Sequence, residues 1–216
     1  MNQPSEGVIK FHLAHEHGPA LPEEITAELR AWFVILRKLE LLGRDPGRYL
    51  GYAYGNLSVR TAGGFVITCT QTSGRNELGL EDFARVRDFD SRGNRLASEG
   101  PCPPSSEAMT HGAVYQALPR AGAVFHVHSP QIWQKAKALG LPETDAAIEY
   151  GTPEMAEAVI SLLRNTPAGV FSMGGHEDGI VAWGKDAAEA GCRLLESLAR
   201  ALSGTKGSES HQGDTA

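Results

Sequence analysis

Between residues 55 and 100 the chain is written as short runs rich in β-branched and aromatic residues, punctuated by glycine turns. "YGNLSVR" and "GFVITC" are separated by "TAGG", and "ARVRDFDSRGNRLASEG" repeats the theme with "DSRGN" at its turn. Runs of this length, so punctuated, predict hairpins, and hairpins commit the chain to a sheet with antiparallel pairs. Helical segments surround them. "LPEEITAELRAWFVILRKLELLG" carries acids in its first turn and apolar residues at helical spacing (Ile25, Leu29, Trp32, Ile35, Leu36, Leu39), with Gly43 as its stop. "SSEAMTHGAVYQAL" predicts a helix starting at the serines, "GTPEMAEAVISLLRN" another, and "KDAAEAGCRLLESLARAL" the last. "AGAVFHVH" reads as a buried strand, followed in "SPQIWQKAKALG" by a helix with Ser129 at its N-cap and Pro130 at its first position. "GVFSMGG" and "GIVAWG" are two further strands. Strands and helices mixed in this order predict a single α/β domain.

At 216 residues the chain is long enough to bury a sizeable core without a second domain. The division expected is an N-terminal extension over 1–24, the domain over 25–202, and a disordered tail over 203–216, which is small, polar and poor in apolar residues. A net charge of -6 argues against nucleic acid or an acidic membrane as the main partner. No signal-peptide layout opens the chain and no run of about 18 apolar residues appears, so a cytosolic protein with a small-molecule partner is expected. Cys69, Cys102 and Cys192 are odd in number and widely spaced, which reads as buried, reduced thiols.

In "GAVFHVHSP" the strand period puts His126 and His128 on one face with Val124, while Ala123, Phe125 and Val127 point to the other. Two imidazoles about 7 Å apart along one face can converge on one ion. The same pair can equally be hydrogen-bonded core histidines. A third ligand is on offer in "MGGHEDG", where His176 follows an apolar strand in a glycine-flanked turn, although a surface-loop histidine reads the same way. Glu107 in "PSSEAMTH" supplies a carboxylate that helix-dipole chemistry alone would also explain. His111, one turn on, reads as an orienting or packing residue, and His12, His15 and His17 as part of a solvated segment.

Taken together, "GNLSVR", "PSSEAMTHGAVYQALP", "AVFHVHSP", "EYGTPEMAEAV" and "GGHEDGIVAWG" resemble, in order, the class II aldolase/adducin superfamily, from about residue 25 to 202. The resemblance implies an α/β/α sandwich around a largely antiparallel sheet, and a homotetramer with sites between subunits. It implies zinc, or another divalent ion such as manganese, on His126, His128 and His176, with Glu107 as catalytic acid/base. It maps phosphate binding onto Asn56, Ser73, Gly74, Ser105 and Ser106, residue types whose hydroxyls and backbone donors suit an anion. The implied activity is an aldolase-type lyase acting on a small ketose phosphate through a metal-stabilised enediolate. Alternatives are a pentulose-phosphate 4-epimerase or a ketose-phosphate dehydratase on the same site, or a non-catalytic scaffold as in adducin. The chain departs from the pattern in "HEDG", which inserts Glu177 and Asp178 after the third histidine, and in the longer loop "TCTQTSG". It also has no tyrosine after Tyr150 to supply an aldehyde-side acid.

Overall fold

A computed structural model describes residues 8–163 and 169–203. In chain order the elements are β1 (His12–His17), α1 (Glu23–Lys38), a ribbon of β2 (Gly43–Arg44) with β3 (Ala53–Tyr54), β4 (Asn56–Thr61), β5 (Gly64–Thr68), β6 (Phe83–Asp90), β7 (Arg95–Gly100), α2 (Ala108–Ala117), β8 (Ala123–His128), α3 (Pro130–Trp133), α4 (Pro153–Leu163), β9 (Val170–Ser172), β10 (Gly179–Gly184) and α5 (Ala187–Ser203). Eight strands form one sheet in the order β1-β7-β6-β5-β4-β8-β10-β9. Among these described strands only the edge pair β1–β7 is parallel. The expected hairpins are β4–β5 and β6–β7.

Side-chain alternation splits the core in two. Val66, Phe125, Val127 and Ile180 pack under α1, α3 and α5 with Leu29, Phe33, Leu36, Ile132 and Leu194. Phe65, Ile67, Val124 and Val181 face the opposite way, onto Met109, Val114, Met155 and Val159 of α2 and α4. The result is the expected three-layer α/β/α sandwich with a largely antiparallel sheet. Phe33 is fully buried, and burial on that scale contributes about 2–3 kcal/mol.

Several local expectations change. Helix α1 ends at Lys38; Glu40 takes a left-handed φ of 59° and the chain turns. Leu41 and Leu42 are both buried although adjacent, which a single helix stripe does not provide, so they leave the helix to reach the core. Gly43 belongs to the ribbon, where a Cβ would run into Arg37 and Tyr54. The buried stripe of α1 includes Phe33, while Ile35 and Leu39 are 41% and 45% exposed. Helix α2 begins at Ala108, with Glu107 as its N-cap rather than in its first turn. Helix α3 is a single turn, with Ser129 Oγ accepting from Ile132 N at 3.3 Å as the sequence predicts.

Residues 12–17 are largely exposed, as expected of a solvated segment, but they form edge strand β1 along β7, and His15 Nδ1 lies 2.9 Å from Ser98 Oγ. Its polar composition carries no strand alternation, and only the presence of β7 beside it makes a strand. The cysteine expectation is also corrected: Cys69 and Cys102 form a disulfide, with Cα atoms 5.9 Å apart, and Cys192 is exposed. A separation of 33 residues hid that pairing, and cysteine usage therefore carries no argument for a reducing compartment. The tail expected from Ser203 lies outside the described residues from 204 onward, and Ser203 itself closes α5. Among the described residues no helix is long and apolar enough to cross a membrane.

Candidate metal centre

Strand β8 lies between β4 and β10, with His126 opposite Asn56 on one side and His128 opposite Gly179 on the other. Its two histidines share the face of Val124, as the strand period requires. His176 arrives from the turn joining β9 to β10, which is closed by Met173 N to Gly179 O (2.9 Å), His176 N to Met173 O (3.1 Å) and Gly179 N to His176 O (2.9 Å). Gly174 and Gly175 let this turn press against residues 144–148: a Cβ on either would overlap the carbonyl of Thr144 or Ile148. Thr144 Oγ1 also accepts from Gly174 N at 3.1 Å. The glycines thus serve close approach, and the approach swings His176 over the end of β8.

One ligand atom from each of His126, His128 and His176 lies within 4.8 Å of the other two. His176 Nε2 and His128 Nε2 are 3.0 Å apart, and all three rings are at most 2% exposed. Tetrahedral coordination with bonds of about 2.0–2.1 Å places ligand nitrogens roughly 3.3 Å from one another. The donor set and its spacing therefore fit a divalent ion, and Asn56 Nδ2, 3.3 Å from His126 Nδ1, holds the first ring in orientation.

Three tyrosines wall the histidines, edge-on or tilted. Tyr49 and Tyr54 stand with ring centroids 4.4 and 5.2 Å from His128, and Tyr150 stands 4.5 Å from His176. Tyr49 is fixed at its far end, where its hydroxyl donates to Asp178 Oδ2 at 2.7 Å and accepts from Arg48 Nη2 at 2.6 Å. Arg48 closes the triangle on Asp178 at 2.5 Å. Burial first, and then the bond to Asp178, push the Tyr49 phenol well above its ordinary pKa. Burial likewise raises Tyr54. Burial opposes the charge on Arg48, but Tyr49 and Asp178 more than offset it and raise its pKa. The unit is a neutral phenol between a paired cation and carboxylate.

The other expected site residues have these local surroundings. Glu107 is 2% exposed, and its Oε2 accepts from Thr110 Oγ1 at 2.9 Å. Ser105 and Ser106 are buried in the turn before it, and Ser105 Oγ accepts from Glu107 N at 3.3 Å. Ser73 lies in a short 3-10 turn, its Oγ donating to the carbonyl of Gly55 beside Asn56 at 2.5 Å. Thr68 ties the neighbouring segments, accepting from Leu57 N at its Oγ1 (3.2 Å) and from Ser105 N at its carbonyl (3.1 Å). Gly74 faces Arg44 and Ala53 rather than open space. His111 is a core residue, fully buried with Nδ1 2.6 Å from Ser58 Oγ. Glu177 is exposed while Asp178 is buried, so the two inserted acids have different fates. Sequence reasoning missed Arg48, Tyr49 and Tyr54. The signal available was the tyrosine cluster of "RYLGYAYG" directly before "GNLSVR".

Comparison with known proteins bears on this arrangement. A family model described as the Class II Aldolase and Adducin N-terminal domain matches residues 48–203. A methylthioribulose-1-phosphate dehydratase of Pseudoalteromonas translucida (strain TAC 125) is 39% identical over 75 residues, 35% of this chain and 33% of that protein. The protein of the same name from Stenotrophomonas maltophilia (strain K279a) is 30% identical over 137 residues, 51% of this chain and 61% of that one. The chain thus spans between about a third and three fifths of the length of these curated relatives. The crystal structure of L-fuculose-1-phosphate aldolase from Thermus thermophilus matches with a TM-score of 0.61 at 22% identity, covering 84% of this chain and 92% of that one. At that identity the likeness is one of fold.

Proposed function

Since this chain belongs to the class II aldolase and adducin family, we propose that it is a divalent-metal-dependent lyase of the aldolase type acting on a small ketose phosphate. The observation that carries the reading is the convergence of three buried imidazoles, His126, His128 and His176, on one point. Zinc, or a related ion such as manganese, would be held there, and when bound it supplies Lewis-acid polarisation of the substrate carbonyl. Glu107 is the acid/base, taking or delivering the proton at the carbon next to that carbonyl as the carbon–carbon bond forms or breaks. Thr110, donating to Glu107 Oε2, fixes the rotamer of the carboxylate. Asn56, Ser73, Gly74, Ser105 and Ser106 form the cradle for the phosphate. The network through Thr68 and Gly55 supports this by joining the segments that carry Asn56, Ser73 and Ser105. Tyr49 and Tyr150 narrow the approach to the histidines and exclude water from their flanks. The assembly proposed is a cytoplasmic homotetramer.

The named activity of the two curated relatives favours a second reading, dehydration of a ketose phosphate. There the same carboxylate would remove a carbon-bound proton and a hydroxyl would leave as water. The epimerase reading has no comparable support, and retention of all three histidines weighs against a scaffold without chemistry. The test is incubation of the zinc- or manganese-loaded protein with a panel of ketose 1-phosphates, followed by proton and phosphorus NMR. Dihydroxyacetone phosphate together with an aldehyde is the expected product pair. A dehydrated diketone with no carbon fragment would replace the first reading by the second, and an unchanged panel would sink both.

A further inference from the structure

The two loops assigned to the substrate anion are joined by a covalent bond. Cys69 opens the segment that carries Ser73 and Gly74, and Cys102 stands three residues before Ser105 and five before Glu107. Between these loops the backbone offers little. Cys69 makes one isolated antiparallel bridge with Pro104, Thr70 N donates to Pro103 O at 3.1 Å, and Ser105 N donates to Thr68 O at 3.1 Å. The run "PCPP" over 101–104 has three prolines, so only Cys102 has an N–H to give and a continuous ladder cannot form. The disulfide adds a covalent tie beside this short bridge, where the prolines keep the ladder from continuing.

The surroundings suit both oxidation states. Cys102 O lies 3.3 Å from Cys69 Sγ and Glu81 O lies 3.0 Å from Cys102 Sγ, so each thiol of a reduced pair has an acceptor in reach. Cys69 is 3% exposed, while Cys102 is partly exposed and open to attack by a small thiol. Resting on the anion cradle proposed above, we propose that Cys69–Cys102 is a redox-sensitive positioning bond of the substrate site. Oxidised, it holds Ser105, Ser106 and Glu107 in register with the Ser73–Gly74 loop. Reduced, the loops lose that register and the anion binds more weakly. In the oxidising step two thiols become one disulfide; the two electrons and two protons pass to a low-molecular-weight disulfide of the glutathione disulfide class, which leaves as two thiols.

The test uses the full-length zinc-loaded protein, oxidised with glutathione disulfide or reduced with a phosphine. Thiol titration in denaturant should find Cys192 alone free in the first form and all three cysteines free in the second. Titration calorimetry with inorganic phosphate, far below the melting temperature, should show reduction weakening binding by about three- to tenfold, the scale of lost preorganisation. Replacing Cys69 and Cys102 together by serine should match the reduced protein under both conditions, while Cys192→Ser should still respond to reduction. Cobalt(II) affinity of the apo protein, read from its visible absorption, should not change with redox state. Equal phosphate affinity in both forms, a parallel loss of cobalt affinity, or failure of the two cysteines to link overturns the proposal. Absence of phosphate binding in either form instead removes the anion assignment of Ser73, Gly74, Ser105 and Ser106, and the positioning role with it.

Discussion

His128 Nε2 and His176 Nε2 face each other at 3.0 Å and are buried, the spacing that two nitrogens sharing one cation take up. The ligand role proposed for the histidines and the acid/base role proposed for Glu107 are separable by substitution. Replacing His126 by Ala is expected to remove bound zinc, measured by metal analysis, and activity with it. Glu107→Gln should keep the metal and lose about 10²–10⁴-fold in turnover, the range for a general acid/base. Tyr49→Phe deletes the hydroxyl that bridges Arg48 and Asp178 and should cost about 1–2 kcal/mol in urea denaturation; no loss would deny that bridge a part in stability. His111 belongs to folding rather than catalysis. Full burial lowers its pKa to about 3, so between roughly pH 6.5 and 3 the unfolded chain takes up a proton that the folded chain refuses. Stability from this residue is complete above pH 6.5 and falls as pH drops, by about 1.4 kcal/mol per unit within that window. Denaturation at pH 7, 6 and 5 should show a shallower acid loss for His111→Asn than for the native protein.

Among the elements, the strands were more legible than the helix ends. The faces of β8 could be read from alternation alone, which assigns Val124, His126 and His128 to one side and Phe125 and Val127 to the other, although the strand begins at Ala123 rather than at Ala121. α1 was legible as a helix, but its end and buried stripe were not. A run of leucines satisfies helical spacing past Lys38, and only contact with the sheet decides that Leu41 and Leu42 leave the helix. β1 gave no pattern at all, since a polar edge strand takes its conformation from its neighbour. The turn carrying His176 depends on packing against residues 144–148. Gly175→Ala should displace it, because the added methyl meets the carbonyl of Ile148. The expected outcome is weaker cobalt(II) binding together with a lower melting temperature, while Gly140→Ala, at an open position with a φ of 69°, should lower stability alone.

For the molecule as a whole, the sheet separates two apolar cores and brings the distant turn that carries His176 to the end of β8. Leu39, Leu50 and Leu202 remain exposed at 45%, 61% and 66%, apolar surface that favours association. Light scattering at micromolar concentration should give a tetramer, and a monomer would refute that assembly. The sequence alone determined the hairpins and the shared face of His126 and His128, because each follows from local periodicity, and it carried the family motifs, whose resemblance implied the layers. Tertiary structure decided that His176 reaches His126 and His128, that Tyr49 and Arg48 fasten on Asp178, and that Cys69 meets Cys102. Those are contacts across 33 to 130 residues, and no local propensity encodes them: they exist only once the hydrophobic faces have packed and fixed which loops lie side by side.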